Sequence, residues 1–134
     1  MKAKISFRIE NDILNCFVTG DRASTSVLDY WQQLINKCHQ ENIHQVQLTL
    51  ALRGKFNPID AIECYQSIIE MLKPAGLKIA AVDLNHLSAS DTQVSCNMAA
   101  SQGIDVSFFE SEGEAKDWLT NSRNGGTDNI EKSA

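Results

Sequence analysis

The chain has 134 residues, which is enough for one domain with a single hydrophobic core and too few for two ordinary domains. Its 17 acidic residues outnumber its 12 Lys and Arg residues, and the formal net charge is -5. Because the basic residues are scattered and no apolar run approaches the roughly 18 residues of a membrane span, we expect no nucleic-acid partner, no membrane partner and a cytoplasmic location.

Two strands are predicted at the start of the chain, over residues 4–10 and 13–19. Apolar residues alternate with polar ones in both, as side chains do on a strand with one buried face. The dipeptide Asn11-Asp12 between the strands is suited to a tight turn. The pattern therefore predicts an antiparallel β-hairpin.

Helices and strands alternate after the hairpin. Further strands are predicted over residues 45–52, 77–83 and 104–109. Apolar residues at helical spacing predict four helices, each with a capping signal at its start. The expected signals are Ser24 or Thr25, Asn57-Pro58, Ser88 or Ser90, and the capping box Ser111-Glu112-Gly113-Glu114.

The alternation within the strands indicates a sheet that is buried mainly on one side. Strand–helix repeats imply parallel strands with right-handed crossovers. We therefore predict an α/β fold, an N-terminal β-hairpin followed by a right-handed βα superhelix, with a mixed five-stranded sheet and helices mainly on one face. Polar residues such as Gln47 and Ser107 are expected on the other, open face. A doubly wound sheet with helices on both faces is the alternative.

One domain is predicted over residues 1–120. From residue 121 the sequence has no hydrophobic periodicity, so we expect a disordered tail over 121–134.

The second half of the chain resembles a known family. The motifs that carry this likeness are Gly-Leu-Lys-Ile-Ala-Ala-Val-Asp at 76–83, Gly-Ile-Asp-Val-Ser-Phe-Phe at 103–109, Glu114-Ala115 and Trp118-Leu119. Their order resembles that of SpoIIAA-like proteins, the STAS and STAS-like group. The resemblance implies a βα superhelix after a hairpin and a non-enzymatic regulatory or protein-interaction role. The same group includes domains suspected of binding apolar ligands beneath their helices, so the resemblance also implies this kind of binding.

One departure from that family concerns its phosphorylation switch. Sporulation-type members carry a phosphorylatable Ser in the turn after the third strand. The equivalent turn here, residues 53–58, is Arg-Gly-Lys-Phe-Asn-Pro and has no Ser or Thr. We therefore expect a regulatory domain without this serine switch.

Charged and polar residues gather where parallel strands end. In such sheets, ligands bind beyond the carboxyl ends of the strands. The candidate ligand-binding residues are Asp21, Arg22, Arg53, Lys55, Asp83, Asn85 and His86. Cations beside helix starts could hold a phosphate or carboxylate, so a small anionic ligand is one interpretation. Ordinary solvation, with an ion pair from Arg22 or Arg53 to Asp83, is the other.

No catalytic or metal-binding constellation is evident in the sequence. The cysteines at 16, 38, 64 and 96 form no Cys-x-x-Cys pair and are interpreted as small buried residues. Met98 is interpreted as a core side chain that fills a helix face. A reactive Cys96 beside His86 is the competing hypothesis. We expect no enzyme activity, no cofactor and no metal.

These patterns support two functional hypotheses. The first is a regulatory or interaction domain that offers its open sheet face, an edge strand or the strand-end loops to a protein partner or to a second copy as a homodimer. The second is a small-molecule or anion-binding domain that uses the strand-end loops.

Overall fold

The computed structural model describes residues 3–54 and 58–124. Five strands and four helices alternate within these two ranges. They are β1 (Lys4–Glu10), β2 (Ile13–Asp21), α1 (Ser24–Glu41), β3 (Gln45–Arg53), α2 (Pro58–Leu72), β4 (Lys78–Asp83), α3 (Ala89–Ser101), β5 (Asp105–Phe109) and α4 (Glu112–Asn124).

The strands form one mixed sheet in the order β1-β2-β3-β4-β5. β1 pairs with β2 antiparallel, and the remaining pairs are parallel. The predicted α/β fold, a hairpin followed by βα units, is therefore confirmed. Sequential order also argues against the doubly wound alternative, in which the order of the strands reverses at a switch point.

The β1–β2 hairpin turns through the predicted dipeptide. Asn11 and Asp12 have φ angles of 56° and 62°, in the left-handed region. Two consecutive residues of this kind make the turn that matches the twist of antiparallel strands, and Asn and Asp tolerate it better than most residues.

The helix starts agree only in part with the predicted caps. α2 begins at Pro58 as expected, whereas the predicted cap Asn57 lies outside the described residues. α4 has the predicted capping box, because the backbone N–H of Glu114 donates to Ser111 Oγ at 3.2 Å. The predicted caps Ser24 and Thr25 are wrong, since α1 already begins at Ser24 and its N-cap is Ala23.

The main core lies between the sheet and the first two helices, and α3 extends it beside β5. Alternate residues of β2, β3 and β4 point to this face, which we call the core face. Leu34 of α1 and Ile69 of α2 are buried against it, as is Ala99 of α3. These apolar faces, at the predicted helical spacing, explain why three consecutive helices share one side of the sheet.

The opposite side, which we call the second face, is covered in part by α4. Ala115 and Leu119 are fully buried there against Ala80 and Val82 of β4. Gln47 is consequently buried, with 6% of its surface exposed, and Ser107 is half-buried. The expectation that both lie on an open face is wrong, because the apolar residues of β4 supply a second surface on which an amphipathic helix can pack.

Within residues 3–54 and 58–124, the β1–β2 part of the second face stays open. Ser6, Arg8, Phe17 and Thr19 are exposed there. The predicted arrangement, with helices mainly on one face, is confirmed with α4 as the exception.

The chain beyond the domain core has two parts. α4 continues to Asn124, so the first residues of the predicted tail are helical, whereas 125–134 lie outside the described residues. The assignment of residues 1–120 to one domain stays a prediction. Across 3–54 and 58–124, no helix combines the length and the apolar character needed to cross a membrane.

Candidate functional site

Two of the predicted site residues form a buried ion pair at the carboxyl ends of the strands. Arg22 follows β2 and Asp83 ends β4, and their side chains are 7% and 0% exposed. Arg22 Nη2 lies 3.4 Å from Asp83 Oδ2. The Arg22 Nε atom also donates to the carbonyl oxygen of Gly54 at 3.2 Å. The pairing of Arg22 with Asp83, one of the two interpretations of the sequence, is therefore present.

The remaining hydrogen bonds of Asp83 come from the β4–α3 connection and from α3. Oδ2 accepts from the hydroxyl groups of Ser88 at 2.9 Å and of Thr92 at 2.6 Å. Oδ1 accepts from the backbone N–H of Asn85 at 2.9 Å. Ser88 is the N-cap of α3, but its hydroxyl is directed to Asp83 and Arg22 and does not cap the helix. The carboxylate thus fixes the start of α3 to the end of β2.

The other candidate residues do not join this network in the same way. Arg53 pairs with Asp21 at 2.9 Å on the surface, and both side chains are largely exposed. Asn85 donates its side-chain N–H to the carbonyl oxygen of Leu52 at 2.9 Å. His86 is exposed, and Lys55 lies outside the described residues. The predicted cluster is therefore divided into a buried structural network and a separate exposed pair.

This division limits the anion chemistry of the predicted site. A buried guanidinium that already contacts a carboxylate, a hydroxyl and a carbonyl has little capacity left for a bound phosphate. Its hydrogen bonds also offset the cost of burying the two charges.

A small apolar cavity lies on the core face, next to this network. Its volume is about 90 Å³. Residues of all three core-face helices and of the sheet line it: Arg22, Val27, Tyr30, Trp31, Leu48, Leu50, Tyr65, Ile68, Ile69, Leu72, Ile79, Ala81, Thr92, Ser95, Cys96, Ala99 and Val106. An apolar cavity of roughly 150 Å³ is known to admit benzene, so this one is too small for a cofactor as it stands.

The cysteine thiols are buried and poorly suited to nucleophilic chemistry. All four are buried, and none is joined to another in a disulfide. Burial raises the pKa of Cys96 to about 12 and that of Cys38 to about 11. Because the thiolate is the nucleophile, thiols with such pKa values are unreactive near neutral pH. Among the described residues, no three His, Cys, Asp or Glu side chains are grouped so that they could hold a metal ion.

Gln47 on the second face is a feature that sequence reasoning missed. Its Oε1 atom is buried beneath α4 and has no hydrogen-bond partner within the part of the chain that the structure describes. Gln45, two residues earlier on the same face, donates its side-chain N–H to the carbonyl oxygen of Leu119 at 3.0 Å. The alternation of β3 placed both residues on the correct face, but it carried no information about which would find a partner.

A group of exposed apolar side chains on α3 and in the turn before it was also missed. We define the α3 stripe as Leu87, Val94 and Met98, which are 76%, 55% and 39% exposed. Val94 and Met98 are four residues apart and lie on one side of α3, whereas Leu87 is in the turn before the helix and Leu84, earlier in the same connection, is exposed as well. The interpretation of Met98 as a core residue is wrong. Thr92, Cys96 and Ala99 make the buried side of α3, so this helix has apolar residues on two sides.

No protein-family model matches this chain, and no curated protein matches it.

Proposed function

We propose that this chain is a non-enzymatic, STAS-like regulatory or protein-interaction domain, and that it binds another protein through the α3 stripe. The observation that carries the proposal is the exposure of Val94 and Met98 on one side of α3 together with that of Leu87 in the turn before it. Isolated exposed apolar residues are common on protein surfaces, whereas several of them along one short segment are typical of a docking surface.

The energy available from covering the α3 stripe supports this assignment. Burying one large apolar side chain contributes about 1.5–3 kcal/mol. Three such side chains in a row can supply much of the free energy of a micromolar complex, which is about 8 kcal/mol. The opposite side of α3 already packs in the core, so the helix is held rigidly and little entropy is lost when a partner binds.

The chain order supports the proposed kinship with STAS-like domains. A hairpin followed by βα units in sequential order is what the resemblance implies. The turn at 53–58 contains no Ser or Thr, so the proposed domain works without the phosphorylation switch of that group. We place this function in the cytoplasm.

Another protein is a better partner for the stripe than a second copy. Each copy has a formal net charge of -5, so two copies repel one another. Asp91 lies in the first turn of α3, between Leu87 and Val94 in the chain, and a symmetric contact would bring two such carboxylates together.

The geometry gives less support to the alternative functions. The small-ligand alternative loses Arg22 as a free cation, because Asp83 already pairs with it. The thiol-enzyme hypothesis is weakened by the raised pKa of Cys96. Neither alternative explains why the α3 stripe is exposed.

Site-specific photo-crosslinking in the native cells tests the proposal. A photo-reactive phenylalanine derivative at Val94 should give a discrete adduct, whereas the same group at Gln33, exposed on α1, should give none. The Val94 adduct should disappear when Leu87→Gln and Met98→Gln are introduced together. Equal crosslinking at both positions, or an adduct that survives the double substitution, would count against the α3 stripe.

Light scattering on the purified chain checks the choice of partner. We expect a monomer. A dimer that Val94→Asp dissociates would instead identify a second copy as the occupant of the stripe.

A further inference from the structure

We propose that the second face binds a small aliphatic amine in a groove between α4 and the β1–β2 hairpin. The second-face groove has a volume of about 280 Å³, and its lining includes Asn15, Phe17, Gln47, Thr49 and Glu112. It lies on the opposite side of the sheet from α3, so this site and the α3 stripe stand or fall separately.

Three neighbouring strands form the floor of the groove. Arg8, Asn15 and Gln47 lie opposite one another in one row across β1, β2 and β3. In the next row, Phe17 of β2 lies opposite Thr49 of β3. Residues two apart on a strand share a face, so both rows point to the second face. The strand register therefore gathers amides, a hydroxyl and an aromatic ring in one place.

Helix α4 forms the wall of the groove through two contacts. Glu112, at the start of the helix, accepts a hydrogen bond at Oε2 from the hydroxyl of Thr49 at 3.0 Å. One turn later, Lys116 Nζ lies 3.3 Å from Glu10 Oε1. The groove is consequently held between α4 and the hairpin at two points.

The side-chain donors on the floor are already used. Asn15 donates through Nδ2 to the carbonyl oxygens of Arg8 at 3.4 Å and of Ile13 at 3.3 Å. The hydroxyl of Thr49 is directed to Glu112. Because an amide nitrogen has two N–H groups and a hydroxyl has one, these side chains have no donor left for a ligand.

The acceptors of the groove, in contrast, lack donors. Gln47 is 6% exposed, and its Oε1 atom has no partner among the described residues. A buried polar atom of this kind is rare in folded proteins and costs stability, so it calls for an explanation. Glu112 forms no ion pair within residues 3–54 and 58–124, and Thr49 contacts its Oε2 atom. A complementary ligand therefore brings donors.

The surroundings of these acceptors select an ammonium group. It carries three N–H donors and the positive charge that the Glu112 carboxylate attracts. Phe17, which is 39% exposed, adds an aromatic ring, and such rings attract ammonium groups. At the other end of the groove, Glu10 already pairs with Arg8 and Lys116. The ammonium group therefore belongs at the Glu112 end.

The volume of the groove sets the size of the ligand. A cavity of roughly 150 Å³ admits benzene, which has six non-hydrogen atoms. The groove thus has room for an aliphatic amine of about six to ten non-hydrogen atoms. Side chains at binding sites commonly change rotamer when a ligand enters, which lets a donor reach the buried Oε1 atom of Gln47.

Three probes with the same four-carbon backbone test the inference on the full-length chain in physiological salt. They are 1,4-diaminobutane, 1,4-butanediol and succinate, which differ in their end groups. Chemical shifts of backbone and side-chain amides measure affinity and locate the site. We expect the diamine to bind at least about tenfold more tightly than the diol, with shifts centred on Gln47 and Phe17, and succinate not to bind.

Three results with these probes would overturn the inference. They are no binding of the diamine, equal binding of the diamine and the diol, and shifts spread over the whole acidic surface.

Matched variants of two glutamines on β3 test the site itself. Gln47→Met should weaken diamine binding about tenfold, although the same substitution removes an unpartnered polar group and is expected to stabilise the fold. Gln45→Met is the control, because Gln45 lies on the same strand and face but outside the groove and bonds to Leu119. Its affinity for the diamine should be unchanged.

Glu112→Gln provides a second test that does not depend on a buried residue. The substitution keeps the length of an exposed side chain and removes its charge, so diamine binding should weaken about tenfold. Thermal unfolding verifies that each variant is folded. Unchanged affinity in either Gln47→Met or Glu112→Gln, or an equal loss in Gln45→Met, would reject the groove as the binding site.

Discussion

The two faces of the sheet handle buried polar groups and buried space in opposite ways. On the core face, the charged pair Arg22–Asp83 is buried and its polar atoms are hydrogen-bonded, yet a cavity of about 90 Å³ lies beside it. On the second face, Ala80, Val82 and Leu119 pack with almost no exposure, yet the amide oxygen of Gln47 has no partner among the described residues. Hydrogen bonding of the buried polar atoms and close packing of the apolar side chains are therefore separate properties of a face.

The difference follows from how each face is assembled. The core face is covered by three helices, and the start of α3 brings two hydroxyl groups to Asp83. The second face is covered by one helix, α4. On this face β3 carries polar side chains of the kind found on a solvated strand, and they lie beneath that helix. Three pairs of substitutions and one alkylation experiment test this contrast.

Arg22→Met should have the largest effect. It leaves the Asp83 carboxylate buried and without its cation, and breaking a buried pair in this way costs about 3–5 kcal/mol of unfolding free energy. Urea denaturation measures the loss. The matched control is Arg53→Met, which removes an exposed ion pair and should leave the midpoint nearly unchanged. Equal effects from the two substitutions would mean that the buried network is not holding β2 to α3.

Gln47→Met should raise the stability. The substitution keeps the length of the side chain and removes a buried polar group without a partner, which costs about 1–3 kcal/mol, so we expect a gain of about 1–2 kcal/mol. Gln45→Met removes a hydrogen bond to the carbonyl oxygen of Leu119 and should lower stability by about 1 kcal/mol. A loss of stability in Gln47→Met would indicate that a buried water molecule satisfies Oε1.

Ala81→Val should stabilise the core face by about 1 kcal/mol, because the added methyl groups enter the cavity. Ala80→Val, at the neighbouring position on the second face, should instead destabilise by about 1–3 kcal/mol, since Ala80 is fully buried beneath α4. Thermal and urea unfolding of the two variants measure whether each substitution raises or lowers the stability. If both substitutions destabilise, the cavity is not available to the added side chain.

The smallest effect concerns the thiols of the core face. Because burial raises the pKa of Cys96 to about 12, alkylation of the native protein should be far slower than that of a free thiol, and its rate should still be rising at pH 9, where the rate of a free thiol levels off. Unfolded thiols ionise near pH 8.5, so the native state holds more protons above that pH and its stability falls as the pH rises further. Rapid alkylation of Cys96 in folded protein at pH 7 would restore the reactive-thiol hypothesis.

Local sequence was sufficient for most elements of this fold. The strand alternation, the Asn11-Asp12 turn, Pro58 at a helix start and the Ser111 capping box all act over a few residues, and each is found as predicted. The functional residues were harder to predict. Charge and position identified Arg22 and Asp83 as a ligand site, although together they form a structural network.

The exposure of α3 could have been suspected from its sequence, because Val94 and Met98 do not share a side of the helix with Cys96 and Ala99. Which of its two apolar sides faces the core could not have been read there. That depends on β4 and β5, which lie on either side of α3 in the chain and pack against it.

The amino-acid sequence by itself determined the order of strands and helices, the side of each strand to which a residue points, and the starts of α2 and α4, because these depend on backbone sterics and on hydrogen bonds between near neighbours. Only the tertiary structure decided that α4 covers the second face, that Gln47 is buried without a partner while Gln45 has one, and that the α3 stripe stays exposed. These outcomes depend on contacts between residues far apart in the chain, where packing and polar satisfaction compete for the same space.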